Sequence, residues 1–281
     1  MMRNTLALLV VAGLSAWSTS ASACGNPATV WGQGSHPNAS GVVGSVTVGQ
    51  PSDASPVRRC SGKCGANVTG PGNFTEDGSS GGEFKQNQRF AVYTGVTGGT
   101  VKVFSAKNSA NTEMFSASFT GTQFTFTTTG GSGSISGILP NKWYQIELDW
   151  DRTLAVPAMN VSVAGGGTFT PQTTTVTGVG ATDSVDYVQL GWISGTATGS
   201  IGFDAYESRR ATTIGFLCFG DVNGDVTLNV GDRVALTNEI LNPSDPTKLG
   251  NGQSDCNTDG LINVGDRVCL TNRILAAAVC P

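Results

Sequence analysis

The chain has 281 residues, of which 13% are charged, 39 are glycine and one, His36, is histidine. Its formal net charge of −4 argues against nucleic-acid binding, which needs a basic face. Sparse charge with abundant Gly, Ser and Thr is typical of a chain rich in short strands and turns, and the length is compatible with two domains.

The first 23 residues have the pattern of a secretory signal. Arg3 gives the positive start, residues 6–14 the apolar stretch, and Ala21-Ser22-Ala23 the cleavage site. The apolar stretch is too short to cross a bilayer, and no later segment is long and apolar enough for a transmembrane helix. We expect a secreted, extracellular protein that begins near Cys24. Lipid attachment at Cys24 is the minor alternative, because a lipoprotein signal usually has Leu where this chain has Ala21.

Disulfides are the default state of cysteines outside the cytosol. Apart from Cys24 the chain has six cysteines, and their positions suggest three pairs: Cys60 with Cys64, Cys218 with Cys280, and Cys256 with Cys269. Six cysteines allow fifteen connectivities, so this pairing is one of several. A zinc site at Cys60 and Cys64 is disfavoured, since only one histidine is available.

After an N-terminal segment of residues 24–56, β-rich runs alternate with turn residues as far as Glu207. This pattern predicts a mainly β fold, a jelly-roll-type antiparallel β-sandwich over residues 57–210, with about ten or more strands. The β-rich runs are residues 41–48, 89–96, 100–106, 113–119, 122–128, 142–150, 158–163, 185–193 and 200–206.

Two runs in this region, KWYQIELDWDR at 142–152 and VQLGWISGTATGSIGFDAYESRR at 188–210, resemble laminin-G-like, concanavalin-like domains of secreted bacterial proteins. The resemblance covers about residues 57–210 and implies the sandwich fold. Such domains often bind a polysaccharide or another glycan, and many serve only in adhesion. The tryptophans could stack on sugars, although filling the core is their more frequent role: Trp31, Trp143, Trp150 and Trp192.

Glu147, Asp149 and Asp151 occupy alternate positions and therefore one face of a strand. They are reminiscent of the E-x-D-x-E strand of jelly-roll glycoside hydrolases, whose outer carboxylates act as nucleophile and acid–base. Asp151 replaces the second Glu and reaches less far, and a solvated strand face is the simpler interpretation. The alternative function is thus an O-glycosyl hydrolase of a polysaccharide-degrading complex.

A thirteen-residue phrase occurs twice near the C-terminus, at 229–241 and 263–275, with eleven identities and an offset of 34. Each copy completes a twelve-residue stretch in which oxygen ligands recur as in a calcium-binding loop. The predicted ligands of two Ca²⁺ ions are Asp221, Asn223, Asp225, Thr227, Asn229 and Asp232 in loop one (residues 221–232), and Asp255, Asn257, Asp259, Leu261, Asn263 and Asp266 in loop two (residues 255–266). Position seven, Thr227 or Leu261, contributes its backbone carbonyl. Clustered aspartates repel one another, so we expect ion binding and folding to be coupled.

A helix is predicted after each loop and none before it. The apolar positions behind loop one form a stripe at helical spacing, and loop two repeats it. Pro and Gly before Asp255, and a short β-like run before Asp221, exclude the entering helix of an EF-hand. The repeats therefore form a small helical calcium-loop module over residues 216–281, joined to the sandwich by a short segment that lets the two parts touch.

The module resembles the type I dockerin domains from Phe219 to about Leu275. These domains consist of two repeats, each a loop followed by an exiting helix, with the pattern D-x-N-x-D-G-x-[VI]-N-x-x-D. The resemblance implies the calcium ligands named above and docking of a cohesin-type partner, often within polysaccharide-degrading systems. Loop one departs from the pattern, because Val226 holds position six, where Gly permits a sharp turn.

The near-identical repeats predict a pseudo-twofold surface for the partner. The candidate contacts, expected to be exposed, are Arg233, Asn238 and Glu239 in the first repeat and Arg267, Asn272 and Arg273 in the second. Opposite charges at Glu239 and Arg273 would make the two faces unequal. A calcium-stabilised structural cap without a partner is the alternative.

Overall fold

A computed structural model describes residues 39–49, 59–62, 64–77, 82–245 and 247–280. The expected signal segment, Cys24, Trp31 and His36 lie outside the described residues. Within them, no helix is long and apolar enough to cross a membrane.

Twelve antiparallel strands of the described chain form one curled sheet, and two helices follow. The strands are β1 (Ala39–Gly49), β2 (Gly65–Asp77), β3 (Lys85–Tyr93), β4 (Val96–Lys107), β5 (Glu113–Phe119), β6 (Gln123–Thr128), β7 (Ser132–Ser136), β8 (Trp143–Asp151), β9 (Ala158–Gly165), β10 (Thr168–Thr177), β11 (Tyr187–Gly199) and β12 (Ile201–Arg209). The helices are α1 (Val230–Leu241) and α2 (Val264–Leu275). The mainly β class with a small C-terminal helical module is confirmed.

The sheet folds over on itself into a sandwich. Across it the strands run β10-β9-β8-β3-β12-β2-β11-β4-β5-β6-β7, and β1 pairs with β2 beside this path. One half of β2 pairs with β12 and the other half with β11, so this strand passes from one layer to the other. Aromatic rings join the layers: Phe90 stacks on Phe104 at 5.0 Å, and Phe115 on Trp150 at 5.5 Å. All four side chains are buried, as expected for a core.

Three strands have no counterpart among the predicted β-rich runs. They are β2, β7 and β10. The strand β2 contains Gly70, Pro71 and Gly72, which read as a turn in sequence. The strands β7 and β10 are the two ends of the sheet, and their mostly exposed Ser and Thr residues give no apolar alternation. Pro171 is accommodated in β10 because an end strand can leave one side unpaired.

The sheet begins before residue 57. Strand β1 lies in the segment 24–56 that the sequence sets apart from the sandwich, and it pairs along β2 from Ala39↔Glu76 to Gly49↔Gly65. The N-terminal segment therefore contributes to the sheet itself.

Two of the three expected disulfides are present. Cys218 is bonded to Cys280, and Cys256 to Cys269. The pairing of Cys60 with Cys64 is wrong, because Cys60 is a free thiol whereas Cys64 is disulfide-bonded. Cys60 is buried under the C-terminal repeats, where Nε2 of Gln253 donates a hydrogen bond to its sulfur at 2.9 Å.

The repeats pack against the outer face of β3, β8 and β12, so the expected contact between the two parts is observed. Tyr93 and Trp143 of this face form a small second core with Cys60, Ala91 and Ala205. Further along, the ring of Phe219 lies 5.7 Å from that of Phe169 on β10. Apolar burial on both sides holds the repeats to the sandwich.

A buried ion pair crosses this interface. The guanidinium of Arg59 pairs with the carboxylate of Glu239 on α1, and the two side chains are 1% and 3% exposed. Burial lowers the pKa of Arg59 to about 10, although nearby acids such as Asp204 oppose the shift. Glu239 also accepts hydrogen bonds from the Gly250 N–H and the Ser254 hydroxyl. Each charge is thus compensated, as a buried charge must be.

Asp204 of β12 holds the segment that carries Arg59. Its carboxylate accepts the N–H groups of Cys60 at 2.6 Å, Ser61 at 2.8 Å and Ala205 at 2.7 Å. Burial raises the pKa of Asp204 to about 7, while these three N–H groups favour its ionised form. The segment 59–62 is therefore fixed to the sandwich on one side and to the repeats on the other.

We predict that Glu239→Gln lowers the free energy of unfolding by about 3–5 kcal/mol, because it removes the one carboxylate that is paired directly with buried Arg59. The double variant Arg59→Met/Glu239→Leu should recover only part of the loss, since it removes both charges of the pair but leaves the Gly250 N–H and the Ser254 hydroxyl without their acceptor. Chemical denaturation at constant calcium measures both. The control is Glu83→Gln, which breaks the part-exposed pair Arg210–Glu83 and should cost about 1 kcal/mol or less. Equal losses in the two single variants would contradict the prediction.

Candidate calcium site and docking surface

The three aspartates of loop one converge. Carboxylate oxygens of Asp221, Asp225 and Asp232 all lie within 4.8 Å of one another. Asp221 is oriented by the N–H groups of Gly224, Asp225 and Val226 at 2.8–3.1 Å. Such a set of hard oxygen donors fits a hard divalent cation of the calcium type. Asn223, Thr227 and Asn229 complete the predicted set along the same turn.

Positions nine and twelve of each loop also cap the following helix. Asn229 is the N-cap of α1 and accepts the Gly231 N–H, while the Asp232 carboxylate accepts the Asn229 N–H. Asn263 and Asp266 repeat this capping box at α2. The start of each helix thus holds two candidate ligands in place.

Loop two lies deeper than loop one. Asp255 and Asp266 are buried, and Asn257, Asp259 and Asn263 are half-buried. Burial raises the pKa of Asp255, and the neighbouring Asp266 carboxylate raises it further. Burial also raises the pKa of Asp266, against hydrogen bonds from the Asn263 and Asn257 N–H groups. A cation among these carboxylates would offset both the burial and the repulsion.

Each loop has two residues whose backbone is in the left-handed region, with positive φ, and only one of the two is a glycine. At position four, Gly224 has φ 79° and Thr258 has φ 62°. At position six, Val226 has φ 65° and Gly260 has φ 82°. A β-branched residue in this region is strained by about 1–2 kcal/mol. Loop one therefore carries its strain at Val226, as its departure from the motif suggests, and loop two carries strain at Thr258.

The helices bury one side and expose the other. Within the described residues no helix leads directly into either loop, and residues 242–254 separate α1 from loop two. The single apolar stripe predicted for each helix is divided. Leu236 and Leu270 are buried between the repeats with half-buried Ile240 and Ile274 packed against them, whereas the remaining valines and leucines of the stripe face solvent. The exposed members are Val230, Val234 and Leu241 of α1 and Val264, Val268 and Leu275 of α2, each 56–80% exposed.

Two of the six expected partner contacts are wrong. Glu239 and Arg273 are 2% and 8% exposed, because both face the sandwich. Glu239 pairs with Arg59, and the Arg273 guanidinium lies 4.0 Å from the centre of the Phe169 ring. Their opposite charges therefore distinguish two contacts inside the chain. Arg233, Asn238 and Asn272 are exposed, and Arg267 is half-buried.

The carboxylates of β8 share the outer face of the sheet, as their spacing predicts. Glu147 accepts the N–H groups of Ile214 and Gly215 at 2.7 and 3.0 Å, and so fastens the connecting segment. Asp151 pairs with Lys85 at 3.2 Å, and burial raises the pKa of Asp149. The tryptophans Trp143, Trp150 and Trp192 are buried and offer no stacking surface. These contacts are structural ones.

Residues 219–275 match the family model of the dockerin type I domain. The two repeats are a type I dockerin domain. Domains of this family bind calcium, in agreement with the donor set of the loops. The match covers the dockerin domain alone and assigns nothing to the sandwich.

No curated protein matches the chain. Solved structures similar to it include a botulinum neurotoxin serotype D binding domain (8% identity, TM-score 0.39, 59% of this chain and 43% of that one). An alginate lyase from Alteromonas sp. 272 has 8% identity and a TM-score of 0.38 over 60% of this chain and 95% of its own. A bifunctional GH43-CE protein of Bacteroides eggerthii has 10% identity and a TM-score of 0.38 over 56% and 24%. The chain thus spans less than half the length of the toxin domain.

Sequence reasoning missed Arg59 and the sandwich residues that hold the dockerin domain. No spacing connects them with the repeats, because the residues in contact lie far apart in the chain, 50 positions for Phe169 and Phe219 and 180 for Arg59 and Glu239. The capping boxes, in contrast, have a sequence signal, since Asn followed three residues later by Asp opens each helix.

We predict that Val226→Gly raises the calcium affinity of loop one about two- to fivefold. The substitution removes strain at an exposed side chain, so little packing is lost, and the extra backbone freedom of Gly offsets part of the gain. Calorimetric titration of the full chain measures the change. Gly260→Val transfers the same strain to loop two and should weaken that loop by a similar factor. Unchanged affinity in both variants would contradict the strain argument.

A second prediction concerns the disulfide of loop two. Cys256 and Cys269 correspond to Val222 and Ala235 of the first repeat, which lie in the same small core. Cys256→Val/Cys269→Ala should therefore keep the packing while removing a crosslink that ties the loop to α2. We expect a loss of about 2–3 kcal/mol in the free energy of unfolding at saturating calcium. Calorimetric melting measures it, and an unchanged stability would show that the apolar pair alone suffices.

Proposed function

We propose that this chain is a secreted docking protein whose dockerin domain binds two calcium ions and attaches the sandwich to a cohesin-type partner. The observation that carries the proposal is the dockerin type I match together with the exposed apolar face of its two helices. Residues 216–281 act as the docking domain, and residues 57–210 together with strand β1 act as the attached sandwich. The signal pattern of residues 1–23 supports export.

The exposed face has the composition of a protein-binding surface. Six large apolar side chains face solvent at equivalent positions of α1 and α2, 34 residues apart. A contiguous exposed apolar patch on a soluble domain indicates an interaction site. Arg233 of α1 lies beside Val264, Val268 and Asn272 of α2, which places the two helix faces next to each other. The patch lies on the side of the helices that Glu239 and Arg273 leave free.

Calcium has a defined part in this proposal. The ligands are the twelve residues of loops one and two, and the ions hold together the acidic loops from which the helices start. Chelation should therefore weaken docking by loosening both helices.

In this proposal, docking attaches the sandwich to the partner protein. Its resemblance to laminin-G-like domains supports carbohydrate binding, and dockerin domains often belong to polysaccharide-degrading systems. Hydrolysis by Glu147, Asp149 and Asp151 has less support, because Glu147 holds the connecting segment and Asp151 holds Lys85. We therefore assign the chain a non-catalytic, attaching role.

We predict that Val234→Asp/Val268→Asp abolishes capture of the chain by an immobilised type I cohesin, because it places a charge in the apolar face of each helix. The matched control is Val279→Asp, at an exposed valine outside both helices. Each single variant should retain part of the binding, since the helices present equivalent faces. Surface plasmon resonance with calcium, and again with chelator, measures the loss, which we expect to exceed about thirtyfold for the double variant. Unchanged capture by the double variant would refute the assigned face.

A further inference from the structure

The middle of loop two is fastened to the sandwich by hydrogen bonds. The Thr258 carbonyl accepts the Trp143 N–H at 2.8 Å, and the Thr258 hydroxyl accepts the Gly167 N–H at 3.0 Å. The carbonyl before it, of Asn257, accepts Nζ of Lys142, and the carbonyl after it, of Asp259, accepts the hydroxyl of Tyr93, both at 3.3 Å. Four donors from the sandwich thus hold three consecutive residues of the loop.

Loop one lies away from this contact. Its equivalent residues Asn223 and Asp225 are exposed, and Gly224 is half-buried. In loop two Thr258 is completely buried. The two loops share Asn and Asp at the positions on either side, and the second loop is buried there because it lies against the sandwich.

Thr258 shows that this contact matters to the loop. The residue has a left-handed backbone, with φ 62°, at the position where loop one has Gly224. A threonine is strained there, whereas glycine is not. The hydroxyl that glycine would lack accepts the Gly167 N–H. The contact with the sandwich therefore compensates for a strained residue inside the loop.

Residues 257–259 of loop two take part in two sets of contacts, one with the predicted ion and one with the sandwich. Asn257 and Asp259 are predicted to direct side-chain oxygens to the ion, while their carbonyls, with that of Thr258, accept bonds from the sandwich. Fixing the backbone for one set of contacts fixes it for the other. Two binding events that require the same backbone conformation must stabilise each other, and by equal amounts.

We propose that Tyr93, Lys142, Trp143 and Gly167 of the sandwich position calcium loop two, so that ion binding there and closure of the interface between the two domains stabilise each other. The proposal rests on the calcium ligands of the proposed function. Loop one lacks this support and binds its ion independently of the sandwich. Calcium at loop two then fixes the dockerin domain on the sandwich, and a docked partner holds the sandwich in a defined orientation.

The first test changes the sandwich and measures the loop. Asp225→Ala disables loop one in the full chain, so that calorimetric titration with calcium reports loop two, and Asp259→Ala gives the reverse background. Tyr93→Phe/Lys142→Met removes two donors without touching a ligand. We expect the affinity of loop two to fall about three- to thirtyfold and that of loop one to stay unchanged.

Two controls accompany this titration. Lys107→Met removes a lysine elsewhere on the sandwich, whose ammonium contacts exposed Asn111, and should change neither loop. Lys142→Arg, introduced together with Tyr93→Phe, keeps a donor beside Asn257 and should restore part of the affinity. Equal calcium affinity of loop two with and without the two donors would overturn the proposal.

The second test reads the interface directly. The Trp143 and Gly167 amides donate to Thr258, so their hydrogen exchange reports closure. Calcium should slow the exchange of both amides in the full chain and in the Asp225→Ala variant, but not in the Asp259→Ala variant. If calcium leaves the hydrogen-exchange rates of the Trp143 and Gly167 amides unchanged, the proposed coupling is overturned, even if both loops bind their ions. Absence of calcium binding in the titration would instead overturn the ligand assignment. Loss of cohesin capture with unchanged calcium binding would concern the docking face of the proposed function and leave the coupling intact.

Discussion

The buried guanidinium of Arg59 sets the arrangement of the two parts of the chain. An uncompensated charge at that depth would be prohibitively costly, and the carboxylate of Glu239 on α1 is its partner. Asp204 holds the neighbouring backbone on the sandwich side, and Ser254 and Gly250 extend the contact into the linker between repeats. The dockerin domain is therefore docked in one orientation, in which the buried polar groups meet their partners.

That orientation makes two near-identical repeats unequal. Equivalent positions carry Glu239 and Arg273, and the sandwich provides a cation for the first and the Phe169 ring for the second. The middle of loop two is buried against β3 and β8, whereas Asn223 and Asp225 in the middle of loop one are exposed. The pseudo-twofold symmetry survives on the opposite side, where the valines and leucines of both helices remain exposed. One side of the domain binds its own chain, and the other is free for a partner.

Sequence patterns located the elements whose signal is local. The β-rich runs predicted nine strands, the oxygen spacing predicted both loops, and the apolar stripes predicted both helices. The missed strands carry signals that contradict their structure: β2 contains a Gly-Pro-Gly run, and β7 and β10 are polar strands at the ends of the sheet. Their strand conformation comes from pairing with neighbours far along the chain, and the residues themselves do not encode it.

The sequence by itself determined the class of the fold and the family of the repeats, because these follow from spacing within a few dozen residues. The tertiary structure alone decided which repeat residues are free. Glu239, Arg273 and Thr258 are indistinguishable from surface residues in the repeat pattern, and Glu147 from a catalytic acid in the strand pattern. Their roles depend on the residues that folding brings opposite them, and periodicity carries no information about a partner more than sixty residues away.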